Sequence, residues 1–179
     1  MRTHYCGQVD EHLVDETITV TGWVHRRRDH GGVIFVDLRD REGLLQIVFN
    51  PGDDAMFADA ERLRSEFVLK ATGSVRQRPE GMQNPGMASG QVELVVRELE
   101  ILNTSETPPF HHDEQTNEEL RLTYRYLDLR KAHLIANPRL RHRATQSMPR
   151  YLAGPGFVDV HTPLPPPAPP ATPPGRPAP

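Results

Sequence analysis

Alternation of apolar and polar residues marks three consecutive segments in the first third of the chain, Thr17–Val24, Val33–Arg39 and Leu44–Phe49. A period of two residues is typical of β-strands with one buried face. The polar stretches Asp29–Gly32 and Asp40–Gly43 between them are predicted turns. The side chains predicted to face inward are those of Ile18, Val20, Gly22, Val24, Ile34, Val36, Leu38, Leu45, Ile47 and Phe49.

A helical pattern follows, because apolar residues recur at helical spacing from Met56 to about Ser65. Either Asp53 or Asp54 is the expected N-cap. Alternation then returns in Phe67–Val75 and, after a long polar loop, in Gln91–Leu102. There Val92, Leu94 and Val96 are expected to face inward and Glu93 outward.

The predicted order is therefore three strands, one helix and two strands. A mainly β, five-stranded Greek-key barrel with its helix between strands 3 and 4 is the OB-fold. Another small β-barrel is the competing interpretation, and the position of the helix favours the OB-fold. We expect this domain to occupy residues 1–103.

The remaining chain predicts a linker or hinge at 104–119, a partial helical segment at 120–162 and a Pro-rich disordered tail at 163–179. Leu120–Arg130 reads as the start of a helix. Arg139–Leu152 is amphipathic but is bordered or interrupted by Pro138 and Pro149. Because an interior proline costs about 3 kcal/mol in a helix, we expect this helix to be short, kinked or poorly formed.

Composition and charge narrow the possible functions. The 179 residues carry a net charge of −3, so nucleic-acid binding would depend on local clusters such as Arg26–Arg28. A single cysteine, Cys6, excludes an intramolecular disulfide and suits a reducing compartment; it is expected to be buried or semi-buried. No apolar run approaches a membrane span, and the first residues lack the apolar core of a signal peptide. A cytoplasmic protein without membrane contact is expected.

The stretch Trp23–Asn50 carries the strongest chemical signal, with three consecutive arginines before a glycine turn and a predicted outward aromatic, Phe35. An OB-type barrel presents such a face to single-stranded nucleic acid. Two alternatives stay open: the arginines could form a solvated turn, and Phe35 could be a core residue if the register shifts by one. Gln46 and Glu93 gain interest because they share the outward face with Phe35.

Other possible sites are weaker. His111–Glu114 resembles a metal cluster, but adjacent residues in a flexible linker do not easily converge on one ion, and no metal site is expected. The acid–arginine pairs in Asp37–Arg39 and Asp40–Arg41 are interpreted as salt bridges within the barrel. No Ser-His-Asp set and no phosphate-binding glycine loop is present.

Several motifs together resemble one family. WVHRRRDHGGVIFVDLRDREGLLQIVF, RSEFVLKATGSVRQRPEG, QVELVV and LRLTYRYLDLR are similar to the anticodon-binding domain and hinge of bacterial aspartyl-tRNA synthetases. GFVDVHTPL resembles the first signature motif of class II synthetases. The resemblance covers roughly residues 1–164. Lysyl and asparaginyl enzymes share the barrel but differ in these strand sequences.

The resemblance implies a function and a set of site residues. Full-length members use ATP and Mg²⁺ to activate aspartate and then aspartylate tRNA, and their barrel reads the anticodon. By position, Phe35 would stack on the central base, Gln46 would hydrogen-bond its edge, and Glu93 would accept from the amine of the third base. Phosphates or bases around the loop would be held by Arg26, Arg28, Arg76 and Arg78.

Three further positions follow from the same resemblance. Asn84 lies in the long loop that would approach the first anticodon base. His30 and Gly81 resemble the non-discriminating subgroup, which charges both tRNA-Asp and tRNA-Asn. The expected partner is therefore tRNA-Asp, with tRNA-Asn as a second partner.

The chain departs from the family near its end. His161 stands where the family has Glu, and a proline run replaces the aspartate-binding segment. We expect a truncated product, read out of frame after Pro163, that has no catalytic residues or cofactor of its own, binds tRNA and does not aminoacylate it. The full-length family is homodimeric, and a monomer is expected here. The rival interpretations are a free-standing tRNA-binding or single-strand-binding module and a non-functional product.

Overall fold

The computed structural model describes residues 1–52, 54–111 and 115–160, except for the side chain of Ala132. The chain forms two compact units, Met1–Pro109 and Phe110–Pro179. The first unit contains a closed barrel in the order β1-β2-β3-β5-β4. Its elements are β1 (Thr17–His30), β2 (Val33–Arg39), β3 (Leu44–Phe49), α1 (Asp54–Arg62), β4 (Val68–Gln77) and β5 (Val92–Asn103).

The predicted OB-fold is confirmed: five strands close into a barrel, and α1 lies between β3 and β4. All neighbouring strands are antiparallel except β3 and β5, which pair in parallel through Ile47↔Leu94 and Val48↔Val95. Asp54 is the first residue of α1 rather than its cap, and the alternative cap, Asp53, lies outside the described residues. The parallel pairing of β3 with β5 closes the barrel and joins two strands that are far apart in the sequence.

The alternating pattern correctly predicted the barrel interior. Each predicted inward apolar side chain of β1, β2 and β3 is at most 1% exposed, and Val92 and Leu94 of β5 are fully buried. Cys6 is buried as expected, and its backbone N–H donates to Asp40 Oδ2 at 2.7 Å. Burial, followed by the neighbouring Asp40 carboxylate, raises the pKa of the Cys6 thiol strongly, so the thiol stays protonated.

The first hairpin differs from its sequence-based prediction. β1 continues through the arginine run to His30, and the turn consists of Gly31 and Gly32 alone, with φ values of 62° and 95°. Two-residue hairpin turns favour glycine because they need positive φ. The arginines therefore belong to a strand, and the interpretation of Arg26–Arg28 as a solvated turn is wrong.

The barrel also depends on a close backbone approach at one glycine. A Cβ atom added at Gly73 of β4 would collide with the carbonyl oxygen of Val95 on β5. The pairing of β4 with β5 is irregular next to this point, between Thr72 and Gly73. A side chain at position 73 would therefore push the two strands apart.

The second unit is helical, with α2 (Glu118–Thr123), α3 (Arg125–Asp128) and α4 (Ala132–Ala153). The predicted start of a helical segment at Leu120 is matched by two short helices, α2 and α3, which end at Asp128. The expected helix was short, kinked or poorly formed; α4 is not short, since it is assigned as one helix of 22 residues that includes Pro138 and Pro149. Since α4 is exposed along most of its length, water can replace the backbone hydrogen bonds that the prolines remove. His161 and the proline tail lie outside the described residues.

Candidate nucleic-acid interface

The outer face of the barrel carries a row of polar side chains that crosses its strands. Arg26 of β1 pairs with Asp37 of β2, which pairs with Gln46 of β3. On the other side of the parallel β3–β5 contact, Glu93 of β5 pairs with Arg76 of β4. Alternation explains this direction for Gln46 and Glu93, because their neighbours point into the core, whereas Arg26 follows a register shift between Val24 and Arg26.

These side chains form a continuous hydrogen-bonded network. Arg28 Nη2 donates to Asp37 Oδ1 at 2.7 Å and to Gln46 Oε1 at 3.1 Å. Gln46 Nε2 donates to Glu93 Oε2 at 2.7 Å, and Arg76 Nε donates to Glu93 Oε1 at 2.7 Å. The network therefore holds both ends of the Gln46 amide and both oxygens of Glu93.

Two predicted outward residues are more deeply buried than an outward position implies. Gln46 is 7% exposed and Glu93 only 2% exposed. Both lie on the outer face of the sheet, but the guanidinium groups of Arg28 and Arg76 hydrogen-bond to them and restrict access from solvent. Charged groups at such depth need partners, and the network supplies them.

Asp37 belongs to this network, although the sequence analysis assigned it only a local salt bridge. Asp37 pairs with Arg28 across the hairpin. Arg39 instead forms a bidentate salt bridge with Glu66, in which Nη2 donates to both carboxylate oxygens at 2.9 Å. Asp40 instead accepts backbone N–H groups in its own turn. The alternating pattern did contain a signal, since it placed Asp37 on the face of Phe35.

The side chains of Arg27 and Arg78 both donate hydrogen bonds to backbone carbonyl oxygens within the first unit. Arg27 Nε donates to the carbonyl oxygen of Ala60 in α1 at 3.2 Å. Arg78 is only 5% exposed, and its Nε donates to the Val92 carbonyl oxygen at 3.0 Å. Burial lowers the pKa of Arg78, and the nearby carboxylate of Glu93 opposes this shift; the guanidinium remains a cation. Arg78 adds positive charge to the face but has little surface for direct contact.

Phe35 and Arg26 are more accessible. Phe35 is half-buried, and its ring meets the exposed ring of His30 edge-on with 5.9 Å between centroids. Arg26 is exposed, and within the described part of the chain no ion pair or side-chain hydrogen bond holds it. The face thus combines an aromatic ring with an available cation, which are the two elements of single-strand binding.

The loop between β4 and β5 has its own internal structure. Asn84 Oδ1 accepts the N–H of Gly86 at 3.0 Å, and the backbone N–H of Asn84 donates to the Gly90 carbonyl at 3.0 Å. Gly81 is exposed with a φ of 81°. These contacts stay within the loop, so the structure does not join Asn84 and Gly81 to the polar network.

The combined face can bind a single strand by stacking, hydrogen bonding and charge. The aromatic ring of Phe35 and the amide of Gln46 lie beside side chains in which arginines outnumber carboxylates. The charged residues are Arg26, Arg28, Arg76, Arg78, Asp37 and Glu93.

Neither a metal centre nor a membrane-spanning helix was found in residues 1–52, 54–111 and 115–160. No three metal-ligating side chains group together there, and no helix in these ranges combines the length and apolar character needed to span a bilayer. Most of the His111–Glu114 cluster lies outside the described residues.

Comparisons with known proteins agree with this architecture. Residues 18–102 match the family model described as an OB-fold nucleic acid binding domain, and residues 117–169 match that of the class II tRNA synthetases (D, K and N). The crystal structure of asparaginyl-tRNA synthetase from Pyrococcus horikoshii is 27% identical with a TM-score of 0.75, covering 91% of this chain and 38% of that one.

Two other solved structures show where the similarity lies. An aspartyl tRNA synthetase from Entamoeba histolytica has a TM-score of 0.81 at 19% identity, covering 91% of this chain and 39% of that one, and so shows the fold alone. An OBody bound to hen egg-white lysozyme is 26% identical with a TM-score of 0.52, covering 59% of this chain and 96% of its own length.

The chain spans 38% of the length of the Pyrococcus synthetase. Within that span, a barrel model is followed by a class II synthetase model in one continuous chain. The chain is therefore similar to OB-fold nucleic acid binding domains over residues 18–102 and to the class II tRNA synthetases (D, K and N) over residues 117–169.

Proposed function

We propose that the barrel binds the anticodon of tRNA-Asp, as part of an aspartate–tRNA ligase of bacterial type. The observation that carries this proposal is the polar network beside Phe35. An accessible aromatic ring next to an oriented amide and several arginines suits an unstacked RNA base. A free-standing binding module is a weaker candidate, because the class II model follows the barrel in the same chain.

In this proposal Phe35 stacks on the central anticodon base and Gln46 hydrogen-bonds its edge. Stacking on an aromatic side chain contributes about 1–3 kcal/mol per base. Arg26 is free to contact a phosphate, whereas Arg28 and Arg76 would have to share their hydrogen bonds or leave the network. Arg78 contributes its charge from a buried position.

Glu93 is proposed to accept a hydrogen bond from the exocyclic amine of the third base. Both of its oxygens already accept one hydrogen bond, from Gln46 and Arg76. A carboxylate oxygen has a second acceptor site, so an amine can add to the network once Arg76 moves. A carboxylate at this position disfavours phosphate and favours an amine donor.

Asparagine specificity is the second candidate function. It is favoured by the 27% identity to an asparaginyl-tRNA synthetase. The exposed His30 and Gly81 support a protein that accepts both anticodons, through their resemblance to the non-discriminating subgroup. Asn84 is proposed to bring the loop to the first base, which tRNA-Asp and tRNA-Asn share.

Aminoacylation would require ATP and Mg²⁺, and the described residues offer no fit for the metal ion. No cluster of three metal-ligating side chains occurs among them, so we derive no catalytic step for this chain. We propose that the 179 residues bind tRNA as a monomer in the cytoplasm.

Binding of anticodon stem-loops tests the proposal. Fluorescence anisotropy would compare stem-loops with GUC, GUU and an unrelated anticodon, using the full chain. Phe35→Ala should weaken GUC binding by about 5- to 150-fold, as expected for the loss of one stacked base. Phe157→Ala removes a ring that is 67% exposed in the second unit and should have no effect.

The outcomes separate the candidates. Preference for GUC over GUU supports aspartate specificity, equal affinity supports a non-discriminating protein, and preference for GUU supports the asparagine alternative. Equal binding of the unrelated anticodon, or an unchanged affinity of Phe35→Ala, would refute anticodon reading by this face.

A further inference from the structure

We infer that Asp37 is a positioning residue, which fixes the orientation of the Gln46 amide by holding Arg28. This inference rests on the proposed function of the same face. Arg28 Nη2 donates to Asp37 Oδ1 at 2.7 Å and to Gln46 Oε1 at 3.1 Å. One nitrogen thus joins the carboxylate to the amide.

The orientation of the Gln46 amide decides what it offers to a base. Rotation by half a turn would exchange its oxygen and its NH₂ group, and so exchange acceptor and donor. Arg28 can only donate and therefore faces the oxygen. The Glu93 carboxylate can only accept and therefore faces the NH₂ group. The two neighbours therefore favour the same amide orientation, one through the oxygen and the other through the NH₂ group.

Asp37 holds the more mobile of these two neighbours. Glu93 is almost completely buried, whereas the Arg28 side chain is 36% exposed and long enough to leave the face. The Asp37 side chain, at 13% exposure, offers Arg28 a charged partner next to Gln46. A pair of opposite charges with a short hydrogen bond is stronger than a neutral one, so Arg28 stays beside the amide.

Asp37 acts through Arg28, because Arg28 Nη2 donates to its Oδ1 at 2.7 Å and the Asp37 side chain is only 13% exposed. Neutralising Asp37 should therefore have two opposite effects. When Arg28 is released, the Gln46 amide is held only through Glu93 and is less firmly oriented, so discrimination between bases falls. The released guanidinium is also an uncompensated charge, so attraction to any RNA backbone rises. A residue that only stabilised the fold would weaken binding of all RNAs alike.

The test compares wild type, Asp37→Asn, Asp37→Glu and a matched control, Asp29→Asn, in the full chain. Asp29 lies in the same hairpin, is exposed, and contacts Arg27 only at 3.5 Å. The probes are a GUC stem-loop, the same stem-loop with the central base changed, and linear oligoadenylate of equal length. Each affinity is measured at several salt concentrations, and urea unfolding confirms that each variant is folded.

For Asp37→Asn, the ratio of affinities for GUC and its central-base variant should fall by roughly tenfold, the scale of one well-oriented base contact. Oligoadenylate affinity should stay equal or rise, and the slope of log affinity against log salt should steepen by about one. Asp37→Glu should restore part of the discrimination, and Asp29→Asn should behave as wild type.

Three results would overturn the inference. The first is an unchanged affinity ratio in Asp37→Asn, and the second is an equal loss of affinity for all three RNAs; both leave the proposed function intact. The third is a wild type that does not distinguish the two stem-loops. That result would remove the proposed anticodon reading and this inference together.

Discussion

Gln46 and Glu93 lie on the two parallel strands that close the barrel, and Gln46 Nε2 donates to Glu93 Oε2 at 2.7 Å. The contact connects the half of the network on β1, β2 and β3 with the half on β5 and β4. Glu93 is therefore the residue through which both halves depend on each other. Its charge matters for the stability of the barrel as well as for the proposed binding face.

Glu93→Gln should destabilise the barrel and weaken binding of the GUC stem-loop. The new NH₂ group would face either Gln46 Nε2 or Arg76 Nε, both of which are donors, at a buried position. Loss of a hydrogen bond to a charged group costs about 1.5–3 kcal/mol, measurable as a lower urea midpoint. Glu98→Gln, at an exposed position of the same strand, is the control; equal midpoints for the two variants would contradict the role of Glu93.

Gly73→Ala should lower the free energy of unfolding by about 2–3 kcal/mol, the scale of overpacking in a well-packed interior. The added methyl group would collide with the Val95 carbonyl oxygen, which is backbone and cannot rotate away. Chemical denaturation measures the effect. Gly86→Ala is the matched control, because its Cβ would meet only the side-chain oxygen of Asn84, at 3.2 Å. A Gly73→Ala protein as stable as Gly86→Ala would disprove the close approach.

The pKa of Asp128 should lie below the ordinary aspartate value, and its carboxylate should stabilise the second unit at neutral pH. The hydrogen bond from Arg121 is the main cause, at 3.0 Å, and the charges of Lys131 and Arg125 add to it. Because the folded pKa is lowered, this contribution is complete above the unfolded pKa, about 3.9. It is lost as pH falls through the folded pKa.

Carbon NMR of the Asp128 carboxyl group across an acid titration measures this shift. The midpoint should lie below the unfolded value, and the same resonance in Arg121→Gln should titrate at higher pH than in wild type. A midpoint at or above about 3.9 in wild type would show that the carboxylate gains nothing from folding.

The barrel was predictable because its strands alternate strictly. Ile34, Val36 and Leu38 were correctly predicted to share the buried face of their strand. The extension of β1 was missed because residues 25–30 are nearly all polar and give no alternating signal. Only the pairing with β2 shows that Arg28 lies opposite Phe35.

The depth of the site could not be predicted, since alternation indicates the face of a residue and not its distance from solvent. Gln46 and Glu93 were assigned to the correct face, but their burial depends on long side chains from other strands. The partner of Asp37 was missed for a similar reason: Arg39 is close in sequence, whereas Arg28 is close in space. For α4, the prediction gave more weight to the local cost of proline than to the helical pattern. In the structure the helix nevertheless continues through Pro138 and Pro149.

Parallel closure of the barrel through Ile47↔Leu94 has a consequence for folding. Contacts between residues so distant in sequence carry a large loop-closure cost and tend to form slowly. The hydrogen bond between Gln46 and Glu93 joins these two strands, so the proposed binding face is assembled only when the barrel closes. An RNA that binds only the closed barrel must therefore raise the free energy of unfolding. At RNA concentrations above the Kd, this increase grows with the logarithm of the RNA concentration.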